Sequence, residues 1–110
     1  MKTIQLRRYE LEPGTEDGYV AWWSRSLPRI RTLGGFKVEF AYLDRDRHQF
    51  VWAVSAPGDR EDFKALEAAY MVSDARTEAF RDMAPGVLVQ HLSFVDVVID
   101  AAETERDLPA

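Results

Sequence analysis

The sequence predicts an α+β domain of order βαββαβ, an antiparallel four-stranded sheet with helices on one face. Three observations carry this. Apolar residues alternate with a period of two in four stretches and recur at helical spacing between them. Glycine pairs with proline or with itself at Pro13-Gly14, Gly34-Gly35, Pro57-Gly58 and Pro85-Gly86, where the pattern changes. The length of 110 residues suits one domain, placed at 1–99 and followed by a polar tail at 100–110.

Thr3 to Leu11 reads as the first strand, with Ile4 and Leu6 on one face and Gln5, Arg7, Tyr9 and Leu11 on the other. Thr15 is placed to cap the first helix, and Glu16 and Asp17 favour its positive end. Tyr19, Trp22, Trp23, Ser26, Leu27, Ile30 and Leu33 form its apolar stripe. Pro28 inside it predicts a bend near Ser24, and Gly34-Gly35 a stop. Phe36 to Leu43 reads as the second strand, with Phe36, Val38, Phe40 and Tyr42 on one face. The charged loop Asp44 to Arg47 joins it to a third strand, His48 to Ser55, as a hairpin.

Asp59 caps the next helix, whose inner stripe is Phe63, Leu66, Ala69 and Tyr70. Met71-Val72 interrupts it, and Ser73 opens a shorter helix with Thr77, Phe80 and Met83 inward. The run Val87 to Ile99 supplies the fourth strand; it is apolar on both faces, which predicts a place inside the assembly. Right-handed crossovers turn this order into the ferredoxin-like plait. Helices cover one face of such a sheet, yet every strand carries apolar residues on both. We therefore expect a homodimer in which two sheets pack face to face, a dimeric α/β barrel.

Composition excludes several function classes. The net charge of −5, from 14 basic and 19 acidic residues, disfavours nucleic acid as a partner. The basic cluster Arg25 to Arg31 reads as a solvated helix face. With no cysteine there are no disulfides, thiol nucleophiles or thiolate metal sites, and a cytoplasmic setting is expected. No apolar run has the length of a signal sequence or a membrane span, so no membrane partner is expected. Two distant histidines form no metal-ligand pattern, and neither a phosphate loop nor a nucleophile elbow is present. No metal or cofactor is expected.

Three stretches resemble the NIPSNAP family of dimeric α/β-barrel proteins. They are Leu6-Arg7-Arg8-Tyr9-Glu10-Leu11-Glu12-Pro13-Gly14, the helix with Trp22-Trp23 and Leu27-Pro28, and Asp59-Arg60-Glu61 followed by Ser73-Asp74 and Phe80-Arg81. Ala75 stands where the family pattern has a bulky aromatic. The resemblance implies the plait and the dimer. The wider superfamily includes cofactor-free monooxygenases of aromatic polyketides, cyclases and isomerases, with a site between each sheet and its own helices. By that analogy the ligand is small and partly aromatic or polyketide-like, and the chemistry is proton transfer or cofactor-free oxidation.

The residues themselves offer a compatible set. Arg7 and Tyr9 share a face and are able to hold a carboxylate, enolate or phenolate oxygen. His91 on the fourth strand is the candidate general base or proton shuttle. Trp22, Trp23, Tyr42, Trp52 and Tyr70 supply aromatic walls for a planar ligand. Each has a competing packing role in the core or at the dimer seam, and the alternative reading is a non-catalytic binding or accessory module. His48 reads as a solvent-facing strand end. Catalysis by this set requires His91 to face the same cavity as Arg7 and Tyr9, and one β-bulge is enough to change that.

Overall fold

The computed structural model describes residues 1–100. Of the polar tail placed at 100–110, all but Asp100 lies outside the described residues. The elements are β1 (Lys2–Leu11), α1 (Glu16–Leu33), β2 (Lys37–Asp44), β3 (Gln49–Pro57), α2 (Arg60–Met71), α3 (Asp74–Phe80) and β4 (Val87–Val95). The strands form one antiparallel sheet in the order β2-β3-β1-β4. This is the expected plait, with β1 and β3 central. β4 is an edge strand of this sheet rather than an inner one, and it ends at Val95, so the apolar run 97–99 continues past the ladder.

The inner face of the sheet carries the core. Arg7, Tyr9 and Leu11 of β1 and Phe50, Trp52, Val54 and Ala56 of β3 are all buried there. Their register sets Trp52 beside Arg7 and Phe50 beside Tyr9. α1 lays Tyr19, Trp22, Trp23, Leu27 and Ile30 onto this surface. The rings meet edge to face: Tyr19 with Phe50 at 5.6 Å and Trp23 with Trp52 at 5.3 Å between centroids. That geometry sets the positive edge of one ring against the negative face of another.

Local chemistry explains most boundaries. Asp59 caps α2 through a reciprocal box with Asp62, and the Ser73 hydroxyl accepts from the Arg76 amide to start α3. Thr15 does not cap α1 with its side chain, because its own backbone is already in the helical region (φ −100°, ψ −4°). Its hydroxyl instead donates to the Glu12 carbonyl. α1 runs unbroken through Pro28, and Gly35 supplies the left-handed stop at φ 91°. Thr77, expected inward on α3, is exposed and donates its hydroxyl to the Ser73 carbonyl.

One bulge changes the reading of β2. The register with β3 slips between Val38 and Phe40. Phe36, Val38, Ala41 and Leu43 therefore pack on the core, while Phe40 and Tyr42 stand on the other side. There they join Ile4, Leu6, Val51, Ala53 and Val95 on a face that none of the described helices covers. A hollow of about 570 Å³ lies on this open face between Phe40, Tyr42 and the segment Val95 to Asp100. None of the described helices is long and apolar enough to cross a membrane.

Candidate functional site

A cavity of about 120 Å³ lies between the sheet and its helices. β1 contributes Arg7 and Tyr9, β3 Trp52 and α1 Tyr19, Trp22 and Arg31; Tyr70, Met71, Arg76 and Phe80 close it from α2 and α3. Among the described residues, three arginines line it and no aspartate or glutamate does. A buried cation needs a counter-charge or a full set of acceptors, or it costs several kcal/mol.

Each arginine solves this differently. Arg7 donates from Nε to the Tyr9 hydroxyl at 2.8 Å and from a terminal nitrogen to Gln5 Oε1 at 2.6 Å. Both partners are uncharged; the Trp52 face, 5.1 Å from the guanidinium carbon, adds a cation–π contact. Arg31, only 2% exposed, forms a bidentate pair with Glu67 at 2.5 and 3.3 Å. Its guanidinium also lies 4.0 Å from the Tyr70 ring centroid. Arg76 lies 4.1 Å over the Phe80 ring and pairs with no carboxylate among the described residues. Four buried polar atoms of lining residues have no hydrogen-bond partner among the described residues: Arg31 Nε, Arg76 Nε, Trp52 Nε1 and the Tyr70 hydroxyl. Donors left over around a cationic cavity are what an anion satisfies.

Burial pushes the Tyr70 phenol above its ordinary value, opposed by Arg31 and Arg76. Burial pushes Tyr19 up further, with Tyr9 adding and Arg7 opposing. Both phenols are therefore neutral donors at physiological pH. A phenol with a raised folded pKa gives stability that is fully present below its unfolded value near 10 and lost as pH rises beyond it. Urea unfolding between pH 10 and 11.5 is expected to show this loss. Tyr19→Phe flattens the slope by about 1.4 kcal/mol per pH unit, the weight of one titrating group.

The sequence candidates separate cleanly. Arg7, Tyr9, Trp22, Trp52 and Tyr70 line the cavity. Trp23 does not; it packs against Phe50 and Trp52. Tyr42 is 68% exposed on the open face, carried there by the β2 bulge. His91 pairs in register with Arg8, so it points to the open face, opposite Arg7 and Tyr9. Its Nε2 lies 2.9 Å from Glu10 Oε2, and the side chain is 44% exposed. The proton shuttle assigned to it inside the cavity does not fit this geometry. His48, at the hairpin, pairs with Glu16 at 2.6 Å.

Arg31 and Arg76 were not among the sequence candidates. Arg25 and Arg29 are solvated as expected, but Arg31 is buried. The signal was its position four residues after Leu27 on the apolar stripe. Its pairing makes a sharp prediction. Glu67→Gln removes the counter-charge of a buried guanidinium, and is expected to cost about 3 kcal/mol in chemical denaturation. The same change makes the cavity more cationic, so anion affinity should rise several-fold in titration calorimetry. Opposite signs in the two measurements separate a binding role for Arg31 from a packing role.

Solved structures place this architecture. A NIPSNAP domain protein from Burkholderia xenovorans superposes with a TM-score of 0.75 at 13% identity, over 89% of this chain and 95% of that one. A NIPSNAP family protein from Agrobacterium tumefaciens does so with 0.75 at 7% identity, over 86% and 91%. The fold is that of the NIPSNAP proteins. A Bacteroides thetaiotaomicron protein whose name assigns it provisionally to the antibiotic biosynthesis monooxygenases has the same architecture. Its TM-score is 0.66 at 13% identity, over 91% and 92% of the two chains. No protein-family model and no curated protein matches the chain. At these identities the likeness carries the NIPSNAP fold alone, and chemistry has to come from the cavity.

Proposed function

We propose that this protein is a homodimer whose sheet–helix cleft binds a small, planar, anionic molecule and moves a proton on it. One observation carries the reading: among the described residues, the cavity lining holds three guanidinium groups and no carboxylate. The volume supports a ligand portion of about one ring, since a cavity of roughly 150 Å³ accommodates benzene. A multi-ring polyketide would have to extend beyond it. Arg7 and Tyr9 hold the anionic oxygen, as the sequence suggested, and Arg31 and Arg76 add charge on the other wall.

With His91 on the opposite face, the proton falls to the phenols. An enolate bound between the arginines takes a proton from the Tyr70 hydroxyl at carbon. The tyrosinate left behind, beside Arg31 and Arg76, regains its proton from water, which leaves as hydroxide; in reverse, hydroxide deprotonates Tyr70 and the tyrosinate draws the α-proton off the bound keto acid to give the enolate. This is the chemistry of an isomerase or cyclase and needs no redox partner. The test is exchange of the α-protons of acetoacetate in deuterated water, followed by proton NMR. The expected result is exchange accelerated by the wild-type protein and slowed at least tenfold by Tyr70→Phe, with binding retained. Exchange at the buffer rate would remove the catalytic part.

A second reading, a non-catalytic binding module, draws on a different fact: among the described residues, no imidazole or carboxylate lines the cavity to act as a base. The two readings share the anion and differ only in turnover. The homodimer draws its support from the uncovered apolar face of the sheet.

A further inference from the structure

We infer that the ligand of this cleft is amphipathic, with an anionic head among the arginines and an apolar arm running past Met71 into a groove between α2 and β4. The inference rests on the anion-binding reading above and extends it to the shape of the molecule.

A groove of about 400 Å³ lies beside the cavity, walled by Phe63, Ala68 and Met71 of α2 and by Phe94 of β4. Two of its other lining residues are Gln5 and Glu67, the direct hydrogen-bond partners of Arg7 and Arg31. The groove and the cavity are thus separated by a single layer of side chains. Met71 belongs to both linings. It is the last residue of α2, it is 47% exposed, and its unbranched thioether side chain changes rotamer at little cost. Leu92, in register with Arg7 on the inner side of β4, is 48% exposed. Leu92 and Phe94 thus lie on the inner side of β4, in register with Arg7 and Gln5. The cavity has room for about one ring, so a larger ligand extends beyond it, and the groove lies next to it across this layer. Among the described residues, the only charges on the groove lining, Lys64 and Glu67, oppose one another, so the arm is uncharged.

The probes are benzoate and straight-chain carboxylates from butanoate to decanoate, titrated calorimetrically into wild-type protein and Ala68→Trp. Ala68 is exposed, so the indole fills the groove without entering the core. The expected result is affinity rising about three- to fourfold per methylene once the chain outgrows the cavity. Ala68→Trp abolishes that rise and leaves benzoate within twofold of wild type. Benzoate binding with no dependence on chain length would overturn the inference while leaving the cavity reading intact. A rise that survives in Ala68→Trp would also overturn it, placing the arm elsewhere. Failure of every carboxylate, benzoate included, would remove the anion site and this inference together.

Discussion

Trp52→Ala is expected to lower unfolding free energy by about 3–5 kcal/mol, the range for removing a buried aromatic side chain. Trp52 is 1% exposed at the centre of β3 and contacts Trp23 and Tyr9 edge to face. Its ring also lies beneath two cations, with Arg7 at 5.1 Å and Arg31 at 5.5 Å from the centroid. Truncation leaves a void that the paired central strands resist closing, and strips both guanidinium groups of a π face. Urea denaturation should show a lower midpoint with an unchanged slope. Anion affinity should fall as well, because Arg7 loses the surface that orients it. Trp52→Phe keeps a ring and should recover part of both. A loss below about 1.5 kcal/mol would mean that the sheet–helix layer packs differently from this description.

If the protein is the homodimer proposed above, Leu6→Lys is expected to make it monomeric at micromolar concentration. Leu6 sits on β1, with Ala53 of β3 on one side and Ser93 of β4 on the other, on the uncovered face. In a face-to-face dimer the substitution puts two unpaired ammonium groups into one apolar interface. Unpaired buried charge costs about 3–5 kcal/mol per group, so the dissociation constant should rise by at least roughly ten-thousandfold. Sedimentation velocity of both proteins checks this, with circular dichroism to confirm that the variant is folded. A wild-type protein that sediments as a monomer would contradict the dimer directly.

Much of this was legible in the sequence. The periods of two and 3.6 placed all seven elements, and the split of the second helix followed from Ser73. The shared face of Arg7 and Tyr9 followed from strand parity, and the two are hydrogen-bonded. What failed did so where parity breaks or does not reach. The slip at Glu39 sent Tyr42 to the far side, and no local residue announces it. His91 was undecided because strand pairing, which sequence alone does not give, sets it beside Arg8. Arg31 was read with its solvated neighbours because a guanidinium on an apolar stripe looks like a helix edge until Glu67, 36 residues on, is seen to meet it. Arg76 depended on where a seven-residue helix docks.

If the cavity selects an anion as proposed, benzoate and benzamide, its neutral isostere, differ in titrations of the wild-type protein. The expected result is benzoate binding at least about tenfold more tightly, a difference of roughly 1.4 kcal/mol, with the preference reduced in Arg76→Met. Equal affinity for the two, or no binding of benzoate at millimolar concentration, would contradict it.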